Sequence, residues 1–210
     1  MGIAERKQLE KDARKKLILD CALAVFRQKG FVDATIGDIA ELAQIAKGTI
    51  YLYFKSKADL YFSLTMPALK NNAKRLKRIA NHQVDSPEVK IRKIIYALYD
   101  FYEQDVDAYN LITRYKASEY QTLLPKDRQR ILVRVMRSNL KQMENIIEEG
   151  VRKEVLKKIN PYAASVVFWG GFVGIIQFQE NRMMPGKRDY RRATLDRFIE
   201  TMLDGLLKKK

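Results

Sequence analysis

The chain has 210 residues, 47% of them hydrophobic, and 40 Lys and Arg against 25 Asp and Glu give a net charge of +15. That length holds one medium domain or a small and a larger one, and the positive excess suits a polyanionic partner. One Cys and one His exclude an internal disulfide and a Cys/His metal cluster, and leave no basis for Ser-His-Asp or Cys-His catalysis.

Five Pro, ten Gly and no sustained period-two alternation predict an all-helical protein. The opening Met1 to Lys7 is charged and lacks the apolar run of a signal peptide, so a cytoplasmic protein is expected. A first helix is predicted over Ile18 to Gly30, with Cys21 packed in an apolar stripe with Leu17 and Ala24. Residues 35–59 then spell two short helices and a tight turn. Thr35 is placed to N-cap the first, with Asp38 in capping-box position, and Ile39, Ala40, Leu42 and Ala43 supply its inward face. A turn of about three residues around Gln44 to Ala46 permits a steep crossing. The second helix is predicted from Lys47 to Phe54. At ~100° per residue Ile50 and Phe54 face inward, Thr49, Leu52 and Tyr53 face outward, and Lys47 and Tyr51 flank them. An outward Leu fits a helix entering a major groove, where it can meet a thymine methyl.

With the helix before it, this segment resembles the N-terminal DNA-binding domain of the TetR family of transcriptional regulators. The resemblance runs from about Lys15 to Leu60 and rests on Ala22 to Phe31 and on Lys47-Gly48-Thr49-Ile50-Tyr51-Leu52-Tyr53-Phe54-Lys55-Ser56-Lys57. It implies that Lys47, Gly48, Thr49, Tyr51 and Leu52 lie at base edges, and that Thr35, Tyr53 and Lys57 hold phosphates. The chain departs from the family at Gln44, where a turn Gly is usual, and at Ala46, where a capping Ser is common. A left-handed Gln44 carries a cost, and the start of the second helix needs a partner other than a side-chain hydroxyl.

Residues 1–80 carry 16 Lys and Arg against 8 Asp and Glu, so positive charge is densest around this motif. A connecting helix is predicted over Asp59 to Ala80, kinked or split near Thr65 by Pro67. Its far end holds Lys70, Lys74, Arg75, Lys77 and Arg78, readable as a solvated helix end favoured by the dipole. The polar break Asn81 to Ser86 includes His82, expected to be exposed and inert. Pro87 opens a helix to about 104 that buries Ile91, Ile94, Ile95, Leu98 and Phe101 or Tyr102. Further helices are predicted over about 108–120, from Pro125 to about Lys153, from Pro161 to about Arg182 and from about Tyr190 to Leu207. The apolar run Ala163 to Ile176, at 14 residues, falls short of the ~20 that a membrane span needs.

The resemblance implies that the second part of the chain binds an effector and dimerises. Domains are expected at 1–60, with the connecting helix to about 80, and at 81–210. Gly170 and Gly174, widened by Gly171, allow another helix to approach closely. That helix is either a two-fold mate, with Phe198 and Met202 in the same dimer interface, or a neighbour in the same chain. Twelve of the 21 aromatic residues fall within 96–178, enough to line a pocket for an apolar or aromatic compound or to fill a core. Tyr102, Tyr115, Met136, Met143, Phe168, Trp169 and Phe172 are the candidate lining, with Asn139 and Gln177 as polar anchors or as satisfied core amides. No cofactor and no metal site is expected. The whole reads as an all-α, cytoplasmic, homodimeric regulator, not an enzyme, released as a repressor from a palindromic double-stranded operator by a small molecule. The alternatives are an activator, a corepressor-dependent regulator or an architectural DNA-binding protein.

Overall fold

The structure is a computed structural model describing residues 2–113, 123–182 and 190–208. These residues form nine helices and no strand. In chain order they are α1 (Ile3–Asp33), α2 (Ile36–Leu42), α3 (Lys47–Tyr51), α4 (Lys57–Ala80), α5 (Pro87–Gln104), α6 (Val106–Thr113), α7 (Lys126–Arg152), α8 (Pro161–Arg182) and α9 (Arg191–Leu206). The fold is all-α, as the composition implies. Two compact units appear: Met1–Pro67 with Arg114–Leu132, and Ala68–Thr113 with Val133–Lys210.

In the first unit, α1 is much longer than the predicted helix, because residues 3–17 continue it with an exposed polar turn after turn. Gly30 ends the regular part at φ +74°, a left-handed conformation that glycine adopts without a Cβ penalty. The buried face of α1 is Ile18, Ala22, Val25 and Phe26. Cys21 is therefore only part-buried, Ala24 is exposed and Leu17 is 39% exposed, so the expected stripe lies one step round the helix. Burial, with Asp20 nearby, pushes the Cys21 thiol up, which keeps it in the unreactive form. The core of this unit is completed by Ile39, Ala40, Ala43, Ile50, Phe54 and Phe62. Phe26 meets Tyr61 edge to face at 5.1 Å. Leu42, predicted inward, is 52% exposed, because Ile39, Ala40 and Ala43 already fill the inward arc of a two-turn helix.

α4 runs through Pro67 as one helix, so of the expected kink or split the split does not occur. The hydroxyl of Thr65 donates to the Tyr61 carbonyl at 3.0 Å, one turn back in the same stretch. In the second unit, Ser86 caps α5, accepting from the Val89 N–H at 3.3 Å, and Pro87 takes the first turn. Ile91, Ile94, Ile95, Leu98, Phe101 and Tyr102 are all buried, as the 3.6-residue pattern predicts. Lys90 is also buried, and its ammonium lies 2.8 Å from Glu149 of α7, a paired charge that the pattern did not reveal. α6 begins at Val106, two residues earlier than predicted, and the remainder of that predicted helix, Tyr115 included, lies outside the described residues.

α8 packs Phe168, Phe172 and Ile176 at 0% exposure, and α9 does the same with Leu195, Ile199 and Leu203. A Cβ on Gly171 would fall 2.5 Å from the ring of Phe198, so this glycine is what brings α8 and α9 together. Among the described residues, nothing lies within 4 Å of a Cβ position on Gly170 or Gly174. Around them Tyr162, Val166, Val167 and Phe178 leave an apolar stripe on the outside of the single chain. Within α8, Pro161–Glu180 at 20 residues is long and apolar enough to cross a membrane by length and composition only.

Candidate nucleic-acid interface and interior cavity

The presenting element is α3, and its placement follows from the turn before it. Gln44 takes φ +52°, the left-handed conformation a glycine would adopt more cheaply. Ala46 precedes α3 with no side-chain cap, as its missing hydroxyl requires. Ile50 and Phe54 anchor the inner side at 0% and 2% exposure. Opposite them Leu52 is 82% exposed, Tyr51 is 55% exposed, and Gly48 opens onto free space. Thr49 and Tyr53 are half-buried at the edges of this face. The helix itself stops at Tyr51, three residues short of the prediction, and Leu52 and Tyr53 continue as a turn.

α2 supports this face. The Thr35 hydroxyl accepts from the Asp38 N–H at 3.1 Å while the Thr35 N–H donates to the Asp38 carboxylate at 2.9 Å, the reciprocal pair expected of a capping box. Lys29 of α1 adds an ion pair to the same carboxylate at 2.9 Å. Lys29 first, and then the two Thr35 bonds, pull the Asp38 pKa down to about 2. The Lys47 side chain folds toward the first turn of α2, where its Cε and Nζ lie 3.0 Å from a Cβ position on Gly37. A side chain at 37 would require the end of the Lys47 chain to shift by a few tenths of an ångström.

Lys57, expected at a phosphate, also bonds within the protein. Its ammonium donates to the Ala34 carbonyl at 2.8 Å and to the Val32 carbonyl at 2.9 Å, and it stands 4.7 Å from the centre of the Phe31 ring. It clamps the end of α1 to the start of α4. Burial draws its pKa down, opposed by Asp33. Asp59, 4% exposed, completes the support by accepting from Arg128 at 3.0 Å and from the Lys55 N–H at 3.1 Å. Lys15 is a cation the motif did not single out. Its ammonium lies 6.0 Å from the centre of the Phe54 ring, three residues past the end of α3.

The second unit holds a largely apolar cavity of about 180 Å³ lined by Leu69, Val135, Met136, Asn139, Leu140 and Trp169, with Arg137 at its edge. Of the expected ligand residues it gathers Met136, Asn139 and Trp169. The Asn139 carbonyl oxygen is buried and has no partner among the described residues. The other candidates that are described lie elsewhere. Phe168 and Phe172 are core, as is Met143 at 5% exposure. The Tyr102 hydroxyl donates to Glu180 at 2.8 Å and accepts from Arg191, so it is already engaged. Gln177 donates to the Thr113 carbonyl at 3.3 Å. Leu69, Val135 and Leu140 were not found from sequence, because aliphatic wall residues carry no signal that separates them from core. His82 is exposed, 3.1 Å from Asp85. No group of metal-ligating side chains occurs among the described residues.

Residues 18–64 match the family described as bacterial regulatory proteins, tetR family. Over 186 residues the chain is 24% identical to the HTH-type transcriptional regulator YhgD of Bacillus subtilis, covering 89% of this chain and 94% of that protein. Among solved structures, a transcriptional regulator of the TetR/AcrR family from Thermobifida fusca superposes with a TM-score of 0.71 at 24% identity, over 92% of this chain and 98% of that one. The regulator FadR of Bacillus subtilis, solved in complex with stearoyl-CoA, superposes with a TM-score of 0.69 at 19% identity, over 90% and 98% of the two chains.

Proposed function

Because this chain belongs to the TetR family of DNA-binding transcriptional regulators, we propose that it is a homodimeric repressor released from a palindromic operator by an apolar or aromatic small molecule. It is a regulator and not an enzyme. The observation that carries the DNA reading is the face of α3, where an 82%-exposed Leu52 stands beside an open Gly48 while Ile50 and Phe54 hold the helix from behind. A leucine that gains nothing in water gains a thymine methyl in a major groove. Lys47, Thr49 and Tyr51 then read or flank base edges, and Thr35 and Tyr53 meet phosphates.

The outer stripe of α8, with Gly170 and Gly174 at its centre, is the dimer surface, and Met202 of α9 joins it. Two recognition helices held by that dimer enter successive major grooves about 34 Å apart. The effector occupies the cavity walled by Met136, Leu140 and Trp169, with the Asn139 carboxamide as its polar anchor. A cavity of this size takes about one ring or a short alkyl segment, so a long chain has to widen it. The FadR complex makes fatty-acyl thioesters the first compounds to try. Leu69 belongs both to the cavity wall and to α4, the helix that begins beside the DNA-binding motif. Filling the cavity therefore biases α4, and DNA and effector select different states of the dimer. Such a protein works in the cytoplasm, where its DNA is.

The test uses Trp169, the one tryptophan of the chain. Acyl-CoAs of graded length and an apolar library are titrated against its fluorescence, and each binder is then added to the operator complex. Saturable quenching with ~5–150-fold weaker DNA binding is expected. Binders that leave operator affinity unchanged would count against induction, and binders that tighten it would make the effector a corepressor.

A further inference from the structure

The basic stretch of α4 is more than a solvated helix end. Lys70, Lys74, Arg75, Lys77 and Arg78 fall within nine residues, and no acid stands between Leu60 and Val84. The helix dipole accounts for cations in the last turn, Lys77 and Arg78, but its influence fades beyond that turn. Lys70 with Lys74, and Lys74 with Arg78, are like charges four residues apart, a spacing that weakens a helix. Arg75 is held by Asp100 at 2.6 Å. Lys70, Lys74, Lys77 and Arg78 have no carboxylate partner among the described residues.

Beside this ridge α4 and α5 enclose a groove of about 390 Å³ whose lining includes Asn71, Asn72, Arg75, Arg78, Phe101 and Gln104. Asn72 is 5% exposed, and neither its carbonyl oxygen nor its amide nitrogen has a partner among the described residues. A buried amide with both ends unmet is costly unless something else meets them. One oxygen of the acid on the rim, Asp105, accepts from the Ala108 N–H at 2.9 Å at the start of α6. Asn71 and Arg78 also line an adjoining trough with Lys74, Lys77 and His82, and that lining holds no acid. The groove shares no residue with the cavity walled by Met136 and Trp169.

We propose that this groove binds the phosphate group of a small phosphorylated, hydroxyl-bearing compound, at a site distinct from the apolar effector cavity. Arg78 supplies charge from the groove wall and Lys74 from the adjoining trough, and the Asn72 amide N–H₂ donates to a phosphate oxygen. The Asn72 carbonyl accepts from a hydroxyl next to the phosphate. A carboxylate offers too few oxygens and too little charge for this set of donors. Nucleotides and sugar phosphates share the required chemistry.

The experiment is calorimetric titration of the full-length protein, at constant ionic strength, with ADP, glucose 6-phosphate and inorganic pyrophosphate, and with sulfate as the charge control. Saturable binding of one phosphate compound per chain is expected, with sulfate much weaker. The double variant Lys74→Gln/Arg78→Gln changes only exposed positions and should bind at least about tenfold more weakly. Asn72→Leu should also bind more weakly while melting at a higher temperature, because the unmet amide is gone. Preference for ADP or for glucose 6-phosphate identifies the compound class, and either supports the proposal. No saturable binding of any phosphate, sulfate binding as tightly as the phosphates, or unchanged binding in the double variant would overturn it. A loss confined to duplex DNA binding in the double variant would also overturn it, and would make the ridge a DNA contact. Should Asn72→Leu fail to fold, the double variant decides.

Discussion

Replacing Lys57 with Met keeps the length of the side chain over Phe31 and removes only the ammonium. The bond to the part-buried Ala34 carbonyl at 2.8 Å contributes about 1.5 kcal/mol as a charge-assisted hydrogen bond. The bond to Val32 at 2.9 Å contributes about 0.5 kcal/mol, because that carbonyl is exposed and rehydrates. The cation over the Phe31 ring at 4.7 Å adds about 0.5 kcal/mol. The total is about 2.5 kcal/mol, which in a chain of this size lowers Tm by about 5–10 °C. Thermal unfolding followed by circular dichroism measures this. Operator affinity, taken well below Tm across a salt series, should keep the slope of the parent protein. An unchanged Tm with a slope reduced by about one would place the ammonium at a phosphate and refute the clamp.

Asp38 provides a test in acid. Its folded pKa is depressed to about 2, so the stability it lends is fully present above its unfolded value of about 4 and is lost as pH falls from about 4 through about 2. Asp38→Asn should flatten that part of the stability-against-pH curve, and a curve identical to the parent's would show that the capping box is not formed in solution. Gln44→Gly should stabilise the protein by about 1 kcal/mol in urea denaturation by relieving the left-handed turn, whereas destabilisation would mean the Gln side chain is needed there. Gly174→Arg projects into open space in the single chain, so the protein should stay folded but sediment as a monomer with its operator affinity collapsed. A dimeric Gly174→Arg would move the interface elsewhere. Gly171→Ala should instead lower Tm, because its methyl meets Phe198.

The DNA-binding motif was legible because its signals are local. The Thr35–Asp38 box, the turn at Gln44 and the inward pair Ile50 and Phe54 each depend on residues a few positions apart. The face of α1 was not legible, because Leu17 to Leu19 and Cys21 to Phe26 are apolar without interruption, and any register of the stripe fits such a run. Leu42 was misplaced by treating every apolar residue of a short helix as core. The cavity needs tertiary information: Leu69, Val135 and Leu140 come from two helices far apart in sequence, while the aromatic candidates Phe168 and Phe172 went into the core. Lys57 shows what a motif leaves out. Its position matched, but the turn between α1 and α2 had to be folded before the carbonyls of Val32 and Ala34 could be seen to claim its ammonium.

The central claim, that a dimer reads DNA through the α3 face, is tested most directly by selecting genomic fragments with the purified full-length protein and sequencing what is retained. The account predicts a single enriched palindrome whose half-sites are centred about one helical turn, or a multiple of it, apart. Retention of fragments without a shared palindrome would contradict it and make the protein an architectural DNA binder.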